Sequence, residues 1–217
     1  MVFAVLIIVA YLFGSIPFGL IIAAAHGRDL RSIGSGNIGA TNLSRALGRK
    51  WGYVCFVLDA AKGTVPMLIV GSFVTYPPSV SQLFLWLATG CAAILGHIFP
   101  IYVKFRGGKG VATSFGVALG LWPYYTICAV SALVIWAAAV LLWRYISLAS
   151  IVASIAFPAT VVLAIVLIPG WNFSFLWPLL VTAIIIPVVV IVRHRENIGR
   201  LFAGTEGKIL QKQTYGN

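Results

Sequence analysis

Long apolar runs dominate the chain, and short polar segments separate them. A helix needs about 20 mostly apolar residues to cross the hydrocarbon core of a bilayer. Six runs meet this requirement, covering residues 2–25, 51–75, 82–103, 124–143, 146–168 and 175–192. The first run has no charge and no basic segment before it, which favours a retained membrane span over a cleaved signal peptide.

A seventh run, residues 107–121, is too short for its crossing to be settled by length. Its apolar part, Val111 to Leu121, has 11 residues, which is about 16 Å of helix. If all seven runs cross with the N-terminus outside, 14 of the 15 Lys and Arg residues lie on one side, and the exception is Lys62 within a span. If residues 107–121 did not cross, the basic tail from Arg193 to Lys212 would face outward, which the positive-inside rule disfavours.

These patterns predict an all-α integral membrane protein with seven transmembrane helices, of which the fourth is short. The N-terminus lies outside and the C-terminus is cytoplasmic. We expect a single polytopic domain over residues 1–217.

The composition supports a membrane protein. Apolar residues make up 61% and charged residues 9% of the 217 residues, against about 45–50% and 25% in soluble domains. A net charge of +11 would suggest nucleic-acid binding in a soluble protein. Here the basic residues fall between the spans, so we predict no nucleic-acid partner. Cys55, Cys91 and Cys128 lie within apolar runs, which argues against a disulfide framework.

The first inside loop has a composition typical of an anion cradle. Residues 34–42 read GSGNIGATN, and Arg45 follows. Glycines leave backbone N–H groups exposed, and a helix start after such a run favours a bound anion. The alternative interpretation is a flexible connector between two spans.

The second inside loop places a lysine between glycines. Gly96, His97 and Pro100 precede residues 105–113, which read FRGGKGVAT. N–H groups at the start of the short helix, together with Lys109, favour an anion. The spacing and the preceding strand of a Walker A loop are missing, so we predict no nucleotide binding. The alternatives are a tight turn in a positive-inside loop and, for His97, a capping role; no metal is predicted.

The tail and the second span carry further candidates. Residues 193–200 read RHRENIGR, and Gly204 and Glu206 follow. His194 and Asn197 share a face if the last helix continues; the alternative is a basic end anchored to anionic headgroups. Asp59 and Lys62 lie within the second span at spacing i, i+3, where a structural ion pair and a functional site are equally plausible.

These loops meet at one membrane face, where they combine many cations with few carboxylates. Such a site favours phosphate-bearing substrates, and no covalent nucleophile with an adjacent base is evident. The residues themselves leave two functions open. One is group transfer by positioning and charge stabilisation. The other is transport of an anion or organophosphate, although no internal repeat supports it.

The three loops resemble the three motifs of the PlsY family, the bacterial acyl-phosphate:glycerol-3-phosphate acyltransferases. The matching segments are residues 34–42, 96–113 and 194–206, and the similarity covers nearly the whole chain. The resemblance implies transfer of a fatty acyl group from acyl phosphate to the 1-hydroxyl of glycerol 3-phosphate. The products would be lysophosphatidic acid and phosphate, in the first acylation of phospholipid synthesis.

The resemblance also implies a location and partners. It places a multi-pass enzyme in the bacterial inner (plasma) membrane, with the active site at the cytoplasmic face. Its partners would be acyl phosphate, glycerol 3-phosphate and membrane lipid, without a cofactor or an obligate protein partner.

Site residues follow from the matching positions. The catalytic assignments, with Arg45 and Lys109 closest to the phosphate of glycerol 3-phosphate, are Ser35, Arg45, Lys109, His194 and Asn197. The substrate-binding assignments are Gly36, Asn37, Thr41, Asn42, His97, Gly107, Gly108 and Gly110. The proton acceptor is left open between a histidine, His194 or His97, and the phosphate of the donor, which the family pattern favours.

Overall fold

The computed structural model describes residues 2–209, which form α-helices and no β-strand. Lys212, counted above among the inside basic residues, lies outside the described residues. The helices are α1 Val2–Gly14, α2 Phe18–Ala25, α3 Ala40–Leu47, α4 Arg49–Gly71, α5 Val80–Ile98, α6 Val111–Gly120, α7 Tyr124–Trp143, α8 Ile146–Leu167, α9 Phe173–Arg193 and α10 Arg195–Phe202. A 3₁₀ turn, Ile101–Val103, follows α5.

Six helical stretches within residues 2–209 are long and apolar enough to cross a membrane, as the sequence predicts. They are Val2–Ala25, Arg49–Gly71, Val80–Val103, Tyr124–Trp143, Ile146–Leu167 and Phe173–Arg193. Helix α6 has 10 residues, about 15 Å of length, and its crossing stays a prediction.

The predicted span over residues 2–25 is confirmed, but it consists of two helices and not one. Helix α1 ends at Gly14, and α2 begins at Phe18. Pro17 explains the break, because it lacks an N–H group and disfavours helical geometry at the preceding residue. The Ile16 carbonyl accepts a hydrogen bond from Lys62 Nζ at 2.8 Å. The same carbonyl also accepts from the Phe18 N–H at 3.1 Å, so a side chain from α4 adds a second hydrogen bond at the break.

Helices α4 and α6 cross at very short range. A Cβ added to Gly116 would lie 1.9 Å from the Ala60 carbonyl oxygen, and one added to Gly63 would lie 2.3 Å from the Thr113 carbonyl oxygen. Small residues at such crossings let two backbones approach each other in a membrane protein. This contact fixes α6, and with it the position of the glycine-rich loop before α6.

The surface of the helical body is strongly apolar. Leu141 is 80% exposed, and Val134, Leu142 and Val166 are also exposed. The core between the long helices holds large buried side chains such as Met67. Exposed leucine and valine over long helices fit contact with lipid tails, so the chain is an integral membrane protein.

Two short helices outside the long ones, α3 and α10, were not predicted as separate elements. Helix α3 lies within the first loop and packs against α4, and α10 contacts α8 and α9. His194 separates α10 from α9. These two helices carry Arg45 and Asn197.

Candidate active site

The first loop is organised by the amide of Asn42. Asn42 Oδ1 accepts a hydrogen bond from the Ser35 N–H at 3.0 Å, and Nδ2 donates to the carbonyls of Leu30 at 3.1 Å and Ile33 at 2.9 Å. Asn42 is 2% exposed. Its amide thus bonds within the loop, and the predicted contact of Asn42 with substrate stays a prediction.

The other predicted residues of this loop lie at or near its surface. Ser35, Gly36 and Thr41 are half-buried. The Asn37 side-chain oxygen accepts a bond from the Gly39 N–H at 2.9 Å, which shapes the turn before α3. Loop one therefore keeps a fixed backbone while its Ser and Thr side chains stay accessible.

Arg45 on α3 reaches the segment that follows α10. A Cβ added to Gly207 would lie 3.0 Å from Arg45 Nη2, so the guanidinium touches the backbone directly after Glu206. This contact brings the first loop to the tail, more than 150 positions along the chain.

The second loop wraps around the end of α5. The Gly107 N–H donates to the Ile98 carbonyl at 3.2 Å, and the Gly108 N–H donates to the His97 carbonyl at 3.1 Å. Gly110, with φ of +88°, is the N-cap of α6. His97 is 5% exposed, with Nδ1 facing Asp59. The Nε2 edge of the ring lies against Gly108, and the predicted contact of His97 with substrate stays a prediction.

Lys109 leaves this loop and binds the tail. Its Nζ donates a hydrogen bond to Asn197 Oδ1. Asn197 Nδ2 in turn donates to Glu206 Oε1 at 2.7 Å. Lys109 and Asn197, which the sequence assigns to the same site, are therefore in direct contact. Glu206 is bonded to Asn197 and so joins the same network.

Glu206 gathers two further side chains. Ser147, in the first turn of α8, donates to Glu206 Oε1 at 2.7 Å, and Arg200 Nε donates to Oε2 at 2.7 Å. We define the anion site as the cluster of Arg45, Lys109, Ser147, Asn197, Arg200 and Glu206. It joins α3, the second loop, α8 and α10.

Burial and charge set the protonation states of the anion site. Burial lowers the pKa of Lys109 to about 8, and the nearby Glu206 carboxylate opposes this shift. Burial alone would raise the pKa of Glu206, but hydrogen bonds from Ser147, Arg200 and Asn197 outweigh it and hold the pKa below its usual range. At neutral pH, Lys109 is therefore mostly a cation and Glu206 an anion. Three cations and one carboxylate leave a surplus of positive charge for a phosphate group.

His194 is a neutral, oriented base. It is 3% exposed, and burial lowers its pKa to about 4. Its Nδ1 lies 2.7 Å from the Val190 carbonyl oxygen. A carbonyl can only accept, so Nδ1 carries the ring proton, and Nε2 is left as an acceptor.

Three members of the anion site had no role assigned from sequence: Ser147, Arg200 and Glu206. Glu206 carried a signal, since it is one of only four acidic residues in the chain. Arg200 lies three positions after Asn197, which suggested a shared helix face. Ser147 carried no signal, because a serine near the start of an apolar helix is unremarkable in sequence.

The anion site presents three cationic side chains and one amide beside a single carboxylate, a combination that suits a phosphate-bearing molecule. Its cations and amide come from segments far apart in sequence, so the fold pre-positions them before a ligand arrives. Comparison with known proteins agrees with this description. The model of the family described as glycerol-3-phosphate acyltransferase matches residues 4–204.

The chain belongs to the glycerol-3-phosphate acyltransferase family. Relatives in this family span nearly the same length. The glycerol-3-phosphate acyltransferase of Aquifex aeolicus is 43% identical over 205 residues, covering 93% of this chain and 96% of that protein. The one from Geotalea daltonii is 46% identical over 203 residues, covering 93% and 95%.

Two solved structures of this family share the fold. Both are crystal structures of PlsY (YgiH), described as an integral membrane glycerol 3-phosphate acyltransferase. The glycerol 3-phosphate form has a TM-score of 0.82 at 42% identity and covers 96% of each chain. The lysophosphatidic acid form has a TM-score of 0.79 at 41% identity, with 96% of this chain and 95% of that one covered.

Proposed function

We propose that this family member transfers a fatty acyl group from acyl phosphate to the 1-hydroxyl of glycerol 3-phosphate, giving lysophosphatidic acid and phosphate. The observation that carries the proposal is the hydrogen bond from Lys109 to Asn197, flanked by Arg45 and Arg200. It is a cationic site in a chain whose relatives are named for this acceptor. The reaction would be the first acylation of phospholipid synthesis in a bacterial inner membrane.

The proposed topology places this chemistry in the cytoplasm. With α6 as a short seventh span and the N-terminus outside, the loops that carry Arg45 and Lys109 and the tail with Asn197 share the inner face. The positive-inside rule supports this orientation, because almost all basic residues then lie inside.

Binding precedes chemistry, because two phosphate-bearing molecules must approach each other. Arg45 and Lys109 hold the phosphate of glycerol 3-phosphate, and backbone N–H groups near Gly36, Asn37 and Thr41 hold the phosphate of the donor. Repulsion between two anions is strong where water is scarce, and fixed cations offset it. Positioning then brings the hydroxyl to the acyl carbon.

The reaction needs no enzyme nucleophile. The 1-hydroxyl oxygen forms a bond to the acyl carbon, and the bond from that carbon to the phosphate oxygen breaks. The departing phosphate takes the electron pair and then the hydroxyl proton. With a pKa of about 4, His194 is a weak base at neutral pH, which favours phosphate as the proton acceptor. His194 Nε2 orients the hydroxyl by accepting its hydrogen bond.

Transport of an organophosphate is the second candidate, and the broken first span favours it, because transporters use interrupted helices. However, the Ile16 carbonyl at this break is bonded to Lys62. The cations of the anion site lie instead in segments outside the long helices. Acyl transfer is therefore the better supported function.

Purified protein with labelled glycerol 3-phosphate tests the proposal. Palmitoyl phosphate, palmitoyl-CoA and palmitoyl carrier protein are supplied one at a time. We expect lysophosphatidic acid from palmitoyl phosphate alone, and a loss of about a hundredfold or more in Lys109→Ala. Lys104→Ala, which removes an exposed lysine of the same loop, is the matched control and should stay active.

Two results would reject acyl transfer from acyl phosphate. One is the absence of product from any donor with folded protein. The other is product from palmitoyl-CoA or carrier protein alone. Uptake of labelled glycerol 3-phosphate into proteoliposomes without donor would support the transporter.

A further inference from the structure

A buried group of ionisable side chains lies within the membrane-spanning region and has no role in the chemistry proposed above. Asp59 and Lys62 on α4 are 3% and 1% exposed, and Asp59 Oδ1 lies 2.9 Å from Lys62 Nζ. His97 on α5 places Nδ1 3.7 Å from the same carboxylate oxygen. Charges inside a membrane are costly and point to function by default.

The other edge of the His97 ring supports the second loop. A Cβ added to Gly108 would lie 2.1 Å from His97 Nε2, so only a glycine lets the backbone rest against the imidazole. A Cβ on Gly107 would lie 2.1 Å from the His97 carbonyl oxygen. The ring therefore forms the inner wall of the turn that precedes Lys109.

The same turn is held from its outer side. Arg193 Nη2 donates to the carbonyls of Gly107 at 3.4 Å and Gly108 at 3.2 Å. Gly108 is thus clamped between a guanidinium and an imidazole. Lys109 is the next residue, so any displacement of Gly108 moves the origin of the lysine side chain.

We propose that Asp59 and His97 are positioning residues for Lys109. The Asp59 carboxylate faces the Nδ1 edge of the His97 ring without a hydrogen bond to it and holds that edge by charge and packing. The Nε2 edge of the ring then seats Gly108, and Gly108 sets where Lys109 presents its ammonium group. His97 then acts through the loop and not by contact with substrate. The inference rests on the proposed function in one respect, because it takes the anion at Lys109 to be the phosphate of glycerol 3-phosphate.

Steady-state kinetics separate positioning from general damage. The double variant Asp59→Asn/Lys62→Met removes both buried charges together and leaves no unpaired ion. It also removes the Lys62 bond to the Ile16 carbonyl, a change that His97→Gln does not make. We expect the KM for glycerol 3-phosphate to rise about tenfold or more, while kcat and the KM for acyl phosphate change less than about threefold. His97→Gln should have the same effect, and adding it to the double variant should change the KM little further.

A second measurement does not depend on substrate. Hydrogen exchange of the peptide that contains Gly107 and Gly108 reports the two amides that bond to the end of α5. We expect exchange about tenfold faster in the double variant and in His97→Gln, because the wall of the turn is loosened. His97→Gln leaves the pair on α4 intact, so it serves by itself if the double variant does not fold.

Thr89→Val is the matched control. Thr89 is fully buried on α5 and donates to the Leu85 carbonyl at 3.0 Å, away from the second loop. Loss of the Thr89 hydroxyl should leave unchanged both the KM for glycerol 3-phosphate and the exchange rate of the peptide that contains Gly107 and Gly108. An equal change in Thr89→Val would overturn the inference, because any perturbation of α5 would then suffice.

The outcomes distinguish the inference from the proposed function. Unchanged exchange at Gly107 and Gly108 overturns positioning, and so does faster exchange with an unchanged KM for glycerol 3-phosphate. An equal rise in both KM values also overturns it. If wild-type protein neither binds nor acylates glycerol 3-phosphate, the proposed function fails, and the exchange result alone decides whether Asp59 and His97 position the loop.

Discussion

At the scale of single residues, the Glu206 carboxylate connects α8, α10 and the tail through its hydrogen bonds. Its two oxygens accept hydrogen bonds from a hydroxyl on α8, an amide on α10 and a guanidinium. A glutamine in its place would offer one acceptor oxygen and one donor nitrogen. With its oxygen in the position of Oε1, glutamine could keep the bonds from Ser147 and Asn197, but its amide nitrogen would face the Arg200 Nε donor, and the negative charge beside Arg200 would be lost.

Glu206→Gln should therefore lower both stability and activity. We expect a lower thermal midpoint in detergent, equivalent to about 1–3 kcal/mol of unfolding free energy. Glu196→Gln removes the same charge from an exposed position on α10 and should have little effect on the midpoint. Similar losses in the two variants would show that net charge, and not the bonded carboxylate, is responsible.

The stabilisation by Glu206 should also depend on pH. Its folded-state pKa lies below the usual range, so its contribution is present above the unfolded-state value of about 4.3 and is lost as pH falls towards the folded-state pKa. The difference in unfolding free energy between wild type and Glu206→Gln should narrow below about pH 4. A difference that stays constant to low pH would contradict this expectation.

Capture of substrate phosphate should weaken in mild alkali. The pKa of Lys109 is about 8, so the free protein loses this positive charge as pH rises through that value. Binding of labelled glycerol 3-phosphate, and kcat/KM, should fall in the same range. In Lys109→Arg, the remaining affinity for glycerol 3-phosphate should not change over this pH range, because arginine remains charged. A parallel fall in the variant would assign the titration to another group.

Residue types in the second loop and the tail, together with the family resemblance, were enough to name Lys109 and Asn197 as candidates, and the structure brings the two side chains together. Residue types were not enough for Ser147, which lies 59 positions from Glu206 and meets it only through packing of α8 against the tail. Asn42 shows the opposite limit. Its residue type suits substrate binding, but only the structure reveals that its amide is used by Leu30 and Ile33.

At the scale of elements, the crossing of α4 and α6 determines where the second loop ends. The two backbones approach through Gly63 and Gly116, and neither position has room for a methyl group. A short helix has few contacts with which to fix its orientation. This one crossing therefore has a large share in holding α6, and in presenting the turn at its N-terminus.

Gly63→Ala should force the two helices apart. We expect a loss of about 1–3 kcal/mol, because the added carbon meets backbone and not a flexible side chain. Gly199→Ala is the control, since a Cβ there meets nothing within 4 Å, and alanine in a helix is favoured over glycine by about 0.5–1 kcal/mol. The thermal midpoint in detergent should fall for Gly63→Ala and rise for Gly199→Ala. If both midpoints shift in the same direction, the close crossing of α4 and α6 is not the cause of the change.

The long helices were predictable because their apolar runs are much longer than any soluble helix requires. The break at residues 15–17 was missed, although Pro17 was visible, because an apolar run alone does not reveal whether a partner such as Lys62 can bond to the backbone at the break. Helices α3 and α10 were missed for a different reason. Each has only 8 residues, and elements this short depend on packing more than on their own sequence.

At the scale of the whole molecule, the sides of the membrane are distinguished by charge. The apolar surface does not indicate which end of the protein faces the cytoplasm, whereas the basic segments are predicted to lie together at one face. The assignment of that face depends on α6, because a helix that does not cross would reverse everything after it. The position of Trp122 relative to Lys104 therefore decides the topology.

Labelling of single cysteines tests this arrangement. In a background with Cys55, Cys91 and Cys128 replaced by alanine, a membrane-impermeant maleimide is applied to intact cells. Trp122→Cys, at a position 64% exposed, should be labelled from outside, as should Tyr76→Cys. Lys104→Cys should react only after permeabilisation. Labelling of Trp122→Cys and Lys104→Cys from the same side would show that α6 does not cross.

The bonds that join Lys109 to Asn197, and Asn197 to Glu206, also impose an order in time. A ribosome releases Arg45 and Lys109 early, when the residues that will receive them have not been made. Asn197, Arg200 and Glu206 follow the last long helix in the chain, so they are made after it. A growing chain thus carries its cations through most of its synthesis without a formed anion site, and a translation product that ends after residue 109 but before residue 197 would have Arg45 and Lys109 but none of the tail residues that complete the site.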